Sequence, residues 1–194
     1  DFFQTGIYNK NREFILTSSP SMDILISSNL ERLIGQMTGR DADKTLDLMK
    51  ALSSKGEYGV TEEMKAKVEE FVAGYATEAE IAETIKTLYD KTGYVMDTHT
   101  AVAASVYNNY RTQTKDTTKT IIASTASPYK FARSVMKAID TKYEDFGEFE
   151  LVDELSKISG TDIPYAIEEI KSAPVLHTRV CDKDKMQETV EDIL

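Results

Sequence analysis

Apolar residues recur every three or four positions along most of this chain, which is the spacing of amphipathic helices. The stretch after Ser19-Pro20 shows the pattern well, with apolar side chains at Met22, Leu25, Ile26, Leu30, Leu33 and Ile34. Thr77 and Glu80 have the spacing of a capping box at the start of another such stretch. The pattern predicts helices over residues 19–37, 41–52, 61–72, 77–88, 98–110, 127–138, 148–158, 164–171 and 182–194.

Short apolar runs, rich in β-branched or aromatic residues, interrupt the helical pattern. They predict strands near residues 72–76, 94–97, 120–124 and 176–181. Strands that alternate with helices indicate the α/β class. No repeat, low-complexity tract or linker divides the sequence, so we predict a mostly helical α/β fragment with a few short strands, in one unit spanning residues 1–194.

The run at 120–124 leads into a turn with three hydroxyl side chains, on Ser124, Thr125 and Ser127. Ser127 is a suitable helix cap, and Pro128 fits the first helical position because an N–H has no partner there. In open α/β sheets, ligands bind at the carboxyl ends of strands. The turn is therefore a candidate ligand site, although an ordinary strand-to-helix connection would carry the same residues.

Asp97-Thr98-His99-Thr100 lies at a second predicted strand-to-helix turn. Thr98 or Thr100 could cap the following helix, and the Asp97 carboxylate could accept hydrogen bonds from backbone N–H groups. A capping turn that holds a hydrogen-bonded histidine is the alternative to a functional site. Two such turns in one chain favour a crevice that they share.

The formal net charge of −10, from 33 acidic and 23 basic residues, disfavours nucleic-acid binding and docking on anionic membranes. No stretch approaches the roughly 20 apolar residues of a membrane span. The single cysteine, Cys181, rules out an internal disulfide and suits a reducing cytoplasm. The sequence begins with Asp1 rather than methionine, so we expect a fragment of a longer, cytoplasmic protein.

Most catalytic and metal-binding patterns are missing from the sequence. There is no glycine-rich phosphate loop, and His177 with Cys181 lacks the second pair of ligands that a zinc site needs. Ser124, His99 and Asp97 could be combined into a triad, but Asp97 and His99 are too close in sequence to be taken as an orienting pair without a structure. These patterns therefore predict no metal site and no catalytic residue.

Four segments of the chain form a recognisable set. The first combines Asp1-Phe2-Phe3 with Thr5-Gly6 and Tyr8, and the second combines Ser19–Asn29 with Glu31-Arg32-Leu33. The third is Asp97–Val102, and the fourth is Ser124–Pro128 followed by Lys130-Phe131. Together they resemble the C-terminal half of threonine synthases of the longer bacterial and fungal type. Their order and spacing match over residues 1–138, with a weaker likeness as far as Leu194.

The resemblance implies a pyridoxal-phosphate (PLP) enzyme with the three-layer αβα, tryptophan-synthase-like architecture of fold type II. Such enzymes convert O-phospho-L-homoserine and water to L-threonine and phosphate. The lysine that anchors the cofactor and the loop that cradles its phosphate lie in the family's N-terminal half, which is missing here. The chain alone is then expected to be inactive, and its strands would extend sheets begun by that half. Open sheet edges of this kind favour self-association.

A few site residues carry over from the resemblance. Thr125 matches the hydroxyl that hydrogen-bonds the pyridine nitrogen of the cofactor, and Ser124 supports the same turn. His99 and Thr100 match a motif near the active-site region. Asn29 and Arg32 match another motif, in which Arg32 could bind the substrate phosphate through paired hydrogen bonds or could form a structural ion pair.

Two other interpretations of the function remain open. One is a non-catalytic, acidic helical module that binds a partner protein. The other is a lyase or deaminase of the same fold type that acts on a different amino acid, although the Asp97–Val102 segment favours threonine synthase.

Overall fold

The computed structural model describes residues 2–194, so Asp1, which begins the first segment of resemblance, lies outside the described residues. The helices are α1 (Phe2–Thr5), α2 (Leu30–Met37), α3 (Ala42–Lys55), α4 (Glu62–Ala66), α5 (Glu78–Thr92), α6 (Thr98–Thr114), α7 (Ala132–Ile139), α8 (Glu148–Ser159), α9 (Tyr165–Ser172) and α10 (Met186–Glu191). Short 3₁₀ helices cover Pro20–Met22, Pro128–Phe131, Thr141–Tyr143 and Lys183–Lys185. The predicted predominance of helix is therefore confirmed.

A two-stranded antiparallel sheet stands beside the N-terminal helices. It pairs β1 (Ile7–Asn9) with β2 (Glu57–Gly59), and Tyr8 lies opposite Tyr58. The two tyrosine rings stack with their centroids 5.5 Å apart. Burial, with smaller contributions from Tyr8 and Glu31, raises the pKa of Tyr58 to about 12. This ring belongs to a core that we call the N-terminal cluster, whose buried residues are Ile34, Met37, Leu52, Tyr58 and Val68.

A second core, which we call the C-terminal cluster, forms where α5, α6, α7 and α8 pack together. Its most deeply buried side chains are Ile85, Val135, Met136, Leu151 and Leu155. The helices around it end as their sequences suggest: α5 carries the predicted Thr77–Glu80 capping box and stops at Gly93, which adopts a positive φ of 73°. Within residues 2–194, no helix has both the length and the apolar character required to cross a membrane.

The strand predictions at 72–76, 94–97, 120–124 and 176–181 are wrong for the described chain. These segments are non-helical and have no hydrogen-bonded strand partner within residues 2–194. A β-strand forms only when its backbone pairs with a neighbouring strand. An apolar, β-branched run favours a strand by its composition, but without such a neighbour it does not form one. Several of these side chains are left in solvent: Tyr75, Ile121 and Val180 are 82%, 96% and 93% exposed.

The helix predicted over 19–37 is also corrected. Only Pro20–Met22 and α2 are helical there, because local side-chain bonds hold the rest in a loop. The Asp23 carboxylate accepts hydrogen bonds from the Thr17 amide and hydroxyl, both at 2.7 Å. Polar side chains that bond to the nearby backbone compete with helix formation in this way. The predicted helix at 61–72 shortens to α4, after which the backbone continues in tight turns.

Candidate functional site

The site begins at the first turn of α6, where Asp97 caps the helix. Asp97 is fully buried, and its Oδ1 accepts hydrogen bonds from the backbone N–H groups of His99 at 2.8 Å and Thr100 at 3.2 Å. Its Oδ2 accepts a short hydrogen bond from the Thr100 hydroxyl. The predicted role of Asp97 as an acceptor for backbone amides is confirmed. Thr98 and Thr100 are not the cap, because both already lie inside the helix.

Thr100 connects this turn to the second candidate turn. A hydrogen bond of 3.0 Å joins its Oγ1 to the Oγ of Ser124, which is 24 residues further along the chain. The second turn starts a helical segment as predicted: the Ser127 hydroxyl accepts from the Tyr129 amide at 3.3 Å, and Pro128 takes the first position. Asp97, Thr100 and Ser124 therefore form one polar chain between the two turns.

His99 lies beside that chain and is almost completely buried. Its Nδ1 is 3.4 Å from Asp97 Oδ1 and 3.4 Å from the Thr98 hydroxyl, and its ring packs against Phe131 with centroids 4.6 Å apart. The geometry thus makes Asp97 and His99 neighbours, which the sequence alone could not establish. The triad is not formed, since the hydrogen bond of Ser124 goes to Thr100 and none joins Ser124 to His99 in the described chain.

A segment that sequence reasoning did not assign to the site also reaches it. The Thr98 hydroxyl donates to the carbonyl of Ser18 at 2.9 Å, and the Ser18 amide donates to Glu78 Oε1 at 3.0 Å. Within residues 2–194, the buried side-chain atoms without a hydrogen-bond partner are Ser19 Oγ and His99 Nε2. Ser19 belongs to the second segment of resemblance, but no feature of the sequence indicated the contact of Ser18 with Thr98.

Thr125 directly follows Ser124 and is exposed. Its hydroxyl has no hydrogen-bond partner among the described residues. The hydrogen bond of Ser124 to Thr100 ties down the backbone directly before Thr125. A hydroxyl without a partner, at the exposed side of a tethered turn, is a group that could bind a ligand atom.

Asn29 and Arg32 lie apart from these turns. Arg32 donates from Nη1 to Asn29 Oδ1 at 2.9 Å, and both residues are exposed at the start of α2, beside the N-terminal cluster. No hydrogen bond or ion pair within residues 2–194 joins either of them to Asp97, Thr100 or Ser124. The structure therefore groups four of the predicted site residues (Ser124, Thr125, His99 and Thr100) and leaves this pair separate.

Metal-binding side chains do not gather into a site in the part of the chain that the structure describes. No group of three or more histidine, cysteine, aspartate or glutamate residues is placed to hold an ion there. Cys181 is a free, exposed thiol, and His177 is exposed in the same non-helical segment.

Known proteins with similar sequences are threonine synthases and threonine synthase-like proteins. Residues 100–193 match the family model described as "Threonine synthase, C-terminal". Human "Threonine synthase-like 1" is 34% identical over 193 residues, which are 98% of this chain and 24% of the human protein. The threonine synthase of Methylobacillus glycogenes is 34% identical over 149 residues, which are 74% of this chain and 31% of that enzyme. The chain thus spans about a quarter to a third of these relatives.

Solved structures agree with the sequence matches. Threonine synthase from yeast aligns with a TM-score of 0.68 at 26% identity, over 88% of this chain and 39% of that one. PLP-bound threonine synthase from Brucella melitensis aligns with a TM-score of 0.61 at 32% identity, over 74% of this chain and 32% of that one. Both neighbours support the predicted α/β class. The chain therefore belongs to the threonine synthase family and corresponds to its C-terminal portion.

Proposed function

We propose that this chain forms one wall of the PLP site in a threonine synthase that converts O-phospho-L-homoserine and water to L-threonine and phosphate. The observation that carries the proposal is the turn at Ser124-Thr125, which is tied to the first turn of α6 and presents the Thr125 hydroxyl to solvent. The matches to threonine synthases support the reaction, and the PLP bound to the Brucella melitensis enzyme supports the cofactor.

The residues of the turn fit the pyridine nitrogen of PLP. Thr125 offers a hydroxyl that has no other hydrogen bond in the described chain, and Ser124 holds the backbone beside it. A hydroxyl at this position does not stabilise a protonated ring nitrogen as a carboxylate would, so it moderates the electron-withdrawing power of the ring. When bound, PLP supplies the electron sink for proton removal, loss of phosphate and addition of water.

The remaining candidates have separate parts in the proposal. Thr100 acts through Ser124, because its hydroxyl is occupied by Asp97 and Ser124. His99 packs behind the first turn of α6 and shapes the wall next to Phe131. Arg32 keeps guanidinium donors besides the one it gives to Asn29, and these would bind the substrate phosphate with Asn29 as the orienting group.

Under this proposal, enzymatic activity requires the N-terminal half of the enzyme. That half would supply the lysine that anchors the cofactor and the loop that binds its phosphate, since no glycine-rich phosphate loop is present here. It would also supply strand partners for the non-helical runs at 72–76 and 120–124, and so complete the three-layer αβα architecture. The exposed, unpaired thiol of Cys181 is compatible with the cytoplasmic location that we propose.

The full-length protein that contains this chain tests the proposal directly. Phosphate release from O-phospho-L-homoserine is measured with PLP present, and the isolated 194-residue chain serves as the inactive comparison. Release that depends on PLP and is lost in the isolated chain is the expected result. A full-length protein that binds no PLP and releases no phosphate would contradict the proposal and favour the non-catalytic interaction module.

A further inference from the structure

Residues 119–126 form a non-helical segment that hardly touches the rest of the molecule through its backbone. No backbone hydrogen bond of this segment is present within residues 2–194. Ile121 is 96% exposed, and Ile122 packs only partly against the C-terminal cluster. The hydroxyl of Thr120 bonds locally, to the carbonyl of Thr118 at 3.2 Å. Something other than sheet pairing must therefore fix the position of this segment in the described chain.

The Ser124 hydroxyl makes that connection. In the described part of the chain, its 3.0 Å contact with Thr100 is the one hydrogen bond from residues 119–126 to another element. Thr100 is buried, and its hydroxyl is held in turn by the carboxylate of Asp97. Asp97 is itself fixed by two backbone amides in the first turn of α6. The bond of Ser124 is therefore anchored to a rigid, buried group rather than to a mobile surface side chain.

We propose that Asp97 and Thr100 are positioning residues that act through Ser124 to set the place of the Thr125 hydroxyl against the PLP ring. This inference rests on the proposed function, and neither Asp97 nor Thr100 contacts the cofactor. Ser124 directly precedes Thr125, so the hydrogen bond that ties Ser124 also restrains the backbone that carries the Thr125 hydroxyl. Holding Ser124 against Thr100 therefore limits the positions that the Thr125 hydroxyl can take.

The test uses the full-length protein and measures PLP affinity together with the visible circular dichroism of the bound cofactor, which reports the orientation of its ring. We expect Thr100→Val and Ser124→Ala each to weaken PLP binding about three- to tenfold, the effect of one lost hydrogen bond, and to change the dichroism. Thr100→Ser retains the hydroxyl and is expected to restore both. Thr120→Val removes a hydroxyl from the same segment that bonds only locally, and should leave both unchanged.

A double-variant comparison separates positioning from general support of the fold. If Ser124 acts through Thr125, Ser124→Ala should cause little further loss of PLP binding once Thr125→Val is present. Independent, additive losses would overturn the inference, as would wild-type affinity and dichroism in both Thr100→Val and Ser124→Ala. If the wild-type protein binds no PLP, the proposed function fails and this inference fails with it. If the wild type binds PLP but the variants give either of the contrary results above, the inference fails alone.

Discussion

Replacing Asp97 by alanine removes only a small side chain, yet it should lower the free energy of unfolding substantially. The carboxylate is fully buried and accepts three hydrogen bonds, from the amides of His99 and Thr100 and from the Thr100 hydroxyl. Loss of a helix cap costs about 1 kcal/mol. Loss of the charged acceptor of the Thr100 hydroxyl costs about 1.5–3 kcal/mol. Together these terms predict a destabilisation of about 2.5–4 kcal/mol for Asp97→Ala, at the upper end for single substitutions.

Asp97→Asn is the matched variant, because asparagine caps helices about as well as aspartate. Its carbonyl oxygen can still accept from the two amides, while its NH₂ group faces the Thr100 oxygen as a donor. We therefore expect Asp97→Asn to lose only about 1 kcal/mol. The measurement is the urea midpoint of the full-length protein, compared among wild type, Asn and Ala variants at a common slope.

Equal losses for the Ala and Asn variants would refute this reasoning, because they would assign the stability to the negative charge rather than to the acceptor geometry. A loss below about 1 kcal/mol for Asp97→Ala would refute it as well, because even an ordinary cap is worth that much.

Further predictions concern the cofactor, the surface and acid stability. Thr125→Val should shift the absorption of bound PLP and lower turnover while changing the free energy of unfolding by less than about 1–2 kcal/mol, and an unchanged spectrum and rate would remove Thr125 from the site. The isolated chain should self-associate through exposed apolar side chains such as Ile121, so a clean monomer in light scattering would contradict that idea. Hydrogen bonds from Thr118 and Tyr110 lower the pKa of Asp116 from 3.8 to about 2. Because the pKa of Asp116 is lower in the folded than in the unfolded protein, its ionised carboxylate stabilises the fold fully above the unfolded pKa, and this contribution is lost as pH falls from about 4 to 2. Asp116→Asn should therefore flatten that part of an acid-unfolding curve.

Local signals predicted where several helices begin. The Thr77–Glu80 capping box, the Ser127 cap and the acceptor role of Asp97 all depend on residues within three positions of one another. Such short-range hydrogen bonds form in the same way whatever surrounds the helix, so spacing alone identifies them. Composition also favoured the helical α/β class, because apolar periodicity covers most of the chain.

Long-range features were harder to predict. The pairing of Tyr8 with Tyr58 joins two strands about 50 positions apart, and each strand has only three residues, too few to show an alternating pattern. The predicted strands failed for the opposite reason, since 120–124 has the composition but no partner within residues 2–194. The contact between Thr98 and the Ser18 carbonyl could not be predicted either, because the sequence does not indicate which distant carbonyl a single threonine hydroxyl will bind.

The two hydrogen bonds of Ser18 have a mechanical consequence. Residues 10–29 connect β1, beside the N-terminal cluster, to α2, yet Ser18 is fastened to the first turns of both α5 and α6. The loop thus makes a direct hydrogen-bonded connection from the segment between β1 and α2 to the start of α6. We expect a displacement of this loop to be felt at the turn that contains Thr98 and Asp97.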